Sequence, residues 1–365
     1  MVDAIGSRET TAEALADRLF AATLGTMDLI HVYIGERLGL YALLSVGDAL
    51  SSAELAERAG MHERYAREWL EQQAVTGILE VDDTAAAPAE RRYRLPAGHA
   101  EALTDADSTN YLAPLAGMLI STAQQMPQLL RAYLSGDGVG WSEYGADMWK
   151  GQAAMNRPLF LRLLGREYLP SVRQVDEVLR RPGASVADLG CGGGWSSIGI
   201  ATAYPSVKID GFDVDASALA AAADAARAAA VSDRVTFRLA DATTLAGARG
   251  SYDLVTIFEA LHDMPDPVGA LSCARDMLRD RGAVLVMDER VADHFTVPGD
   301  DVERFMYGWS LPVCLPTGMA QQPSAATGTV MRRSTLETYA RSAGLTTLDV
   351  LPIDNDFFRF YLITP

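Results

Sequence analysis

Three short stretches place groups fit for chemistry at the ends of apolar runs. The first is Val186-Ala187-Asp188-Leu189-Gly190-Cys191-Gly192-Gly193-Gly194-Trp195, which follows a Gly183-Ala184-Ser185 turn and opens a helix. Glycines at 190, 192 and 194 allow a tight turn and let a ligand approach the backbone without Cβ obstruction. The spacing is GxGxG, since Trp195 stands where a dinucleotide-type GxGxxG would need its third glycine. The second stretch is Gly211-Phe212-Asp213-Val214, with Asp213 placed 23 residues after Gly190. A carboxylate there can accept both ribose hydroxyls of an adenosine ligand. The third is Ala240-Asp241-Ala242, whose acid can reach an adenine amino group. Asp213 or Asp241 alone could merely cap a helix. Three such groups on three consecutive strand ends point to one adenosine-bearing ligand.

A fourth stretch, Phe258-Glu259-Ala260-Leu261-His262-Asp263-Met264-Pro265-Asp266, lies just beyond the next apolar run. It falls at the carboxyl edge of a sheet, where ligands collect in open α/β folds. Histidine is suited to taking a proton near neutral pH. A packed or capping histidine is the alternative reading of His262.

These motifs need strands to carry them. From about Ala184, runs at Val186–Leu189, Lys208–Asp213, Val235–Leu239, Leu254–Phe258 and Ala283–Asp288 alternate with helical segments. That alternation predicts a doubly wound α/β sheet of parallel strands, covered by helices on both faces. Leu348–Ile353 and Phe357–Thr364, around Asp354-Asn355, read as an edge hairpin with an antiparallel last strand.

The front of the chain is different. Ser51 caps a short helix that Gly60 ends, a second helix runs from about His62 to Thr76, and Ile78–Val81 with Tyr93–Leu95 reads as a hairpin. This is a winged-helix pattern, whose obvious use is DNA binding. Yet the first hundred residues carry 9 basic and 16 acidic side chains, and Arg64 and Arg67 are mixed with Glu63, Glu68 and Glu71. Dimerisation and pocket building fit that charge better. The sequence therefore divides into a mainly helical winged-helix domain (1–110), a helical linker and lid (111–180) and a ligand-binding domain (181–365).

The motifs of residues 184–365 resemble those of class I S-adenosylmethionine-dependent methyltransferases, which have a Rossmann-like sheet. The front half is similar to the winged-helix domain of two-domain small-molecule methyltransferases. The resemblance implies S-adenosylmethionine as cofactor, with S-adenosylhomocysteine as product. It sets Asp188, Gly190 and Gly192 against the methionine part, Asp213 at the ribose, Asp241 and Ala242 at the adenine, Phe258 along the cofactor, and counts Val214 among the cofactor-binding residues. The fourth stretch resembles the His-Asp-Trp-x-Asp motif of O-methyltransferases, with Met264 replacing the tryptophan. Carried over, His262 is the general base and Asp288 the acid that orients it, with Glu259 as an alternative partner. The implied function is methylation of a small, aromatic or apolar metabolite of secondary metabolism, at oxygen. The alternatives are carbon or nitrogen methylation, or a ligand-sensing DNA-binding regulator.

Composition narrows the partners. With 31 Lys plus Arg against 48 Asp plus Glu, the formal net charge is −17, which disfavours a phosphate backbone. No nucleic-acid partner is expected, and a homodimer is. Cys191, Cys273 and Cys314 form no CxxC pair or Cys/His cluster, so neither disulfide nor metal site is expected. The acidic N-terminus lacks a signal-peptide pattern, and Glu36 and Arg37 interrupt the apolar segment Leu29–Leu44. A cytoplasmic protein without membrane contact follows. His31 reads as a core histidine, His62 and His99 as surface positions, and His294 as a pocket candidate. So do Met306, Tyr307, Trp309 and Met319, in the long 295–329 insertion.

Overall fold

The computed structural model describes residues 11–245 and 249–365. The chain divides into two compact units, one ending at Ile120 and the other Ser121–Pro365.

In the first unit, helix α1 (Ala12–Arg37) precedes α2 (Ser52–Ala59) and α3 (Glu63–Val75). The boundaries of α2 follow from a capping box. The Ser51 hydroxyl accepts the Glu54 N–H, the Glu54 carboxylate accepts the Ser51 N–H, and Gly60 closes the helix at φ 66°. Trp69 and Leu70 of α3 are buried with Leu40, Tyr41, Leu55 and Tyr93. The wing is β1 (Glu80–Val81) against β2 (Tyr93–Arg94), antiparallel as expected. His31 is half-exposed and not a core residue; its Nδ1 lies 2.7 Å from the Met27 carbonyl one turn earlier. His62 caps α3, and His99 is exposed.

The second unit contains α4 (Ala146–Pro158), β3 (Ser185–Leu189), α5 (Trp195–Ala203), β4 (Lys208–Asp213), α6 (Ala216–Ala228) and β5 (Val235–Leu239). It continues through β6 (Tyr252–Phe258), α7 (Pro267–Met277), β7 (Leu278–Glu289), α8 (Asp301–Trp309), α9 (Arg333–Ser342), β8 (Thr347–Val350) and β9 (Phe358–Thr364). The strand order is β5-β4-β3-β6-β7-β9-β8. Strands β3 to β7 are parallel, and β9 runs antiparallel to both β7 and β8. Both faces are covered, which explains the near-continuous apolar runs. Val186, Phe258, Met287 and Phe360 face one core, while Ala187, Ile257, Val286 and Tyr361 face the other.

Strand β7 begins five residues before the expected Ala283. Its first turn of chain, Arg279-Asp280-Arg281, is exposed and charged, and the pairing with β6 is irregular between Tyr252 and Leu254. No apolar pattern could have revealed it. The 295–329 segment is also less of a loop than its composition predicts. Helix α8 fills part of it, capped by Asp300, and helical turns continue through Ser310–Cys314 and Leu315–Met319.

Sequence order reverses between β3 and β6, so a crevice opens at the carboxyl ends of these neighbouring strands. Every motif named above ends a strand on that edge.

Candidate active site

The glycine loop is fastened to the next strand. The N–H groups of Gly190 and Cys191 both donate to the Phe212 carbonyl, at 2.8 and 3.1 Å. Gly190, Gly192 and Gly194 have φ of 72°, 47° and 75°, the left-handed region that glycine adopts freely. A Cβ on Gly190 would lie 2.5 Å from that of Ala260, and one on Gly194 2.6 Å from the Phe237 ring. On Gly192 it would meet nothing within 4 Å. The outer two glycines thus serve packing, and Gly192 borders open space that a ligand can fill.

Asp213 stands at the end of β4. Its Oδ2 accepts the Gly192 N–H at 2.7 Å and its Oδ1 the Asp215 N–H at 2.9 Å. A carboxylate has about four acceptor sites, so two remain for a ribose diol. The helix cap after this strand is Asp215, not Asp213. Burial raises the Asp213 pKa, against the pull of those N–H groups.

Asp188 is 1% exposed, and its carboxylate accepts hydroxyls from Ser196, Ser197 and Thr256 at 2.6, 2.7 and 2.7 Å. It ties the start of α5 and strand β6 together beneath the glycine loop. Asp241 is exposed and accepts the Thr243 N–H and hydroxyl, which shapes the turn after β5. Ala242 is half-buried beside it, and Val214 is 68% exposed. Phe258 is a core residue, stacked on Phe160 with centroids 5.8 Å apart.

Just beyond β6, the His262 ring is 3% exposed, with Nδ1 2.9 Å from Asp288 Oδ1. Asp288 is 1% exposed, and the same oxygen accepts the Glu289 N–H. Of the two partners considered for His262, the histidine bonds to Asp288. Glu259 is held elsewhere: its Oε2 accepts the side-chain amides of Gln152 and Asn156, at 2.8 and 2.7 Å. Its φ of +50° is a strained position for a non-glycine residue.

Sequence reasoning missed Asp263 and Cys314. Asp263 Oδ1 lies 3.4 Å from His262 Nε2. The donor atoms of His262, Asp263 and Cys314 lie within 4.8 Å of one another. The expectation of no Cys/His cluster is thereby corrected, because the fold returns a residue 52 positions downstream that no spacing could reveal. Met306 is buried, Tyr307, Trp309 and Met319 are partly exposed, and His294 is exposed.

Charge dominates this corner. Burial works against a charged His262, but the carboxylates of Asp288 and Asp263 outweigh it and hold its pKa well above the ordinary value. Burial raises Glu259 to about 7 and raises Asp263 and Glu289, while Cys314 is pushed up to about 12. A group whose pKa is raised on folding adds stability below its unfolded value and loses it as pH climbs through the folded one. For Glu259 that window runs from 4.5 to about 7. The thermal stability of the cofactor-free protein is therefore expected to fall between pH 5 and 8, by on the order of 3 kcal/mol from this group. Glu259→Gln should flatten that fall in a melting series; an unchanged slope would refute the assignment.

Residues 180–309 match the methyltransferase domain family, and residues 26–105 the Rv2258c-like winged HTH domain. The 27-O-demethylrifamycin SV methyltransferase of Amycolatopsis mediterranei is 37% identical over 108 residues, 30% of this chain and 39% of that protein. The trans-aconitate 2-methyltransferase of Streptomyces avermitilis is 33% identical over 135 residues, 37% of this chain and 46% of that protein. The chain thus spans less than half the length of these curated relatives. Among solved structures, mitomycin 7-O-methyltransferase aligns with TM-score 0.71 at 19% identity, covering 96% of this chain and 98% of that one. Human N-acetylserotonin methyltransferase, solved with S-adenosylmethionine, aligns with TM-score 0.70 at 18% identity, covering 99% of each. At such identity these two show the fold.

The matched segments are thus a methyltransferase domain on the seven-stranded sheet and, before it, a winged-helix domain. Human N-acetylserotonin methyltransferase, which shares this fold, was solved with S-adenosylmethionine. Among the described residues no helix is long and apolar enough to cross a membrane.

Proposed function

We propose that the protein methylates a small, largely apolar or aromatic metabolite at oxygen, with His262 as general base. The observation that carries this reading is the His262–Asp288 pair, buried at the carboxyl edge beside the glycine loop. The rifamycin relative, whose name records an O-methylation, supports oxygen as the acceptor atom.

The residues divide the work. Gly192 leaves the space, and Asp213 offers the acceptor sites, that fit an adenosine ligand. Bound there, S-adenosylmethionine supplies a methyl group on a sulfonium for in-line displacement by a nucleophilic oxygen. A phenol with pKa ~10 is mostly protonated at neutral pH, so its proton must be taken as the bond forms. Nδ1–H of His262 donates to Asp288, so in the neutral ring, the form that gains with rising pH, the Nε2 lone pair can accept that proton. Asp288 then steadies the imidazolium. Incubating the protein with methyl-labelled S-adenosylmethionine and a panel of phenols, alcohols, amines and carbon nucleophiles tests the reading. Label recovered only on nitrogen or carbon would overturn it.

The same reading includes a cytoplasmic homodimer in which the winged helix binds no DNA. Arg64 pairs with Glu68, Arg67 with Glu63 and Arg91 with Glu71, so glutamates screen the basic groups a phosphate would need. Helix α1 exposes Leu15, Leu19, Phe20, Leu24 and Met27, each close to half or more. Such apolar surface suits a second copy of the chain. Sedimentation should show a dimer, and duplex DNA should not bind at micromolar protein in 0.1 M salt. A monomer at working concentration, or salt-sensitive DNA binding, would contradict these two points.

A further inference from the structure

The cofactor's methionine end carries an α-ammonium group, and the carboxylate that the resemblance sets against it is buried with three of its about four acceptor sites taken. Asp188 is 1% exposed and already accepts three hydroxyls. A more open acceptor would suit the ammonium better. Strands β3 and β6 are neighbours, with Asp188 paired to Thr256, so the glycine loop and the Glu259–Met264 segment leave the sheet side by side. They touch: a Cβ on Gly190 would lie 2.5 Å from that of Ala260, the residue after Glu259. Helix α4 closes the other side. A Cβ on Gly193 would lie 2.8 Å from that of Ala153, next to Gln152, which holds Glu259.

Glu259 is thus bracketed by the glycine loop and α4. Gln152 and Asn156 fix its Oε2, while Oε1 is buried without a partner. Glu289 is 7% exposed and also leaves an oxygen, Oε2, unpartnered, and Glu259 is the strongest charge acting on it. Glu259 is half-buried and Glu289 buried, and each keeps a buried oxygen without a partner that a cation would satisfy. An unpartnered polar atom in such a position is costly unless a ligand completes it.

We propose that Glu259 receives the α-ammonium of the cofactor, through Oε1. This rests on the cofactor assignment above and makes Glu259 a binding residue, distinct from the base His262. Without the cation, Glu259 titrates near 7, under burial, the two amides, His262 and Asp288, with Glu289 alongside. An ammonium favours the ionised carboxyl, so binding should release a proton near neutral pH and tighten as pH rises.

The test is calorimetry with two probes, S-adenosylhomocysteine and 5′-methylthioadenosine, the second of which lacks the amino-acid end. Glu259→Gln keeps the side-chain volume and turns an accepting oxygen into a donor. It should weaken S-adenosylhomocysteine about 10- to 100-fold and leave methylthioadenosine within about twofold. In the wild type, S-adenosylhomocysteine alone should bind more tightly at pH 8 than at pH 6. Equal losses for both probes would assign Glu259 a structural role and overturn the proposal. So would an unchanged affinity for S-adenosylhomocysteine, which would leave the carboxyl to the acceptor. A folded wild type that binds neither probe would instead remove the cofactor assignment itself.

Discussion

His262→Ala is expected to lower turnover about 10²–10⁴-fold while S-adenosylhomocysteine binds almost as before. The ring is held at Nδ1 by Asp288 and shares no hydrogen bond with Asp213 or Gly192, so its loss removes proton acceptance and spares the ribose cradle. The pH profile distinguishes this role from a packing role. A protonated imidazole cannot accept a proton, and Asp288 and Asp263 hold the His262 pKa well above its ordinary value. For the free enzyme, kcat/KM should therefore rise with pH to an alkaline plateau, with an apparent pKa above 6.5. Asp288→Asn removes one of the raising charges and should move that limb to lower pH, at a smaller cost in turnover than His262→Ala. Near-normal turnover of His262→Ala on the true acceptor, or a limb that Asp288→Asn fails to move, would reject the mechanism.

The two halves of this site were unequally legible in the sequence. Glycines, capping serines and apolar runs act locally, so the GxGxG loop, the Ser51 cap and the parallel strands follow from residue type and spacing. The position of Asp213 was equally plain, because a strand end fixes where a side chain emerges. What the side chains then bond to depends on neighbours brought in by the fold. Asp188 reads as a ligand-facing acid, yet Ser196, Ser197 and Thr256 take three of its acceptor sites. Glu259 reads as a partner of His262, yet two amides from α4, more than a hundred residues earlier, hold it. Asp263 stood in the quoted motif without a role assigned to it, and Cys314 carried no signal, since only the helical turns of the 295–329 segment return the cysteine to the histidine. Local rules reveal the glycine-loop side; tertiary return builds the surroundings of His262.

Asp213 offers the other large effect, and the expected loss exceeds that of one ribose contact. Two hydrogen bonds to a diol are worth roughly 1–3 kcal/mol, or about 5- to 150-fold in affinity. The same carboxylate also accepts the Gly192 N–H at 2.7 Å, at the one loop glycine that borders open space. Asp213→Ala therefore removes ribose recognition and releases the backbone that shapes the cradle. The loss for S-adenosylhomocysteine should reach about 100-fold or more. Asp213→Asn separates charge from shape. Its amide must present N–H₂ to either the Gly192 or the Asp215 N–H, setting donor against donor, so a near-isosteric change should cost nearly as much as alanine. Methylthioadenosine keeps the ribose, so both variants should weaken it in parallel with S-adenosylhomocysteine. Here Asp213 differs from Glu259, whose loss should spare methylthioadenosine. Calorimetry on the folded variants decides the matter: affinity within twofold of wild type for Asp213→Ala would remove the ribose from the end of β4.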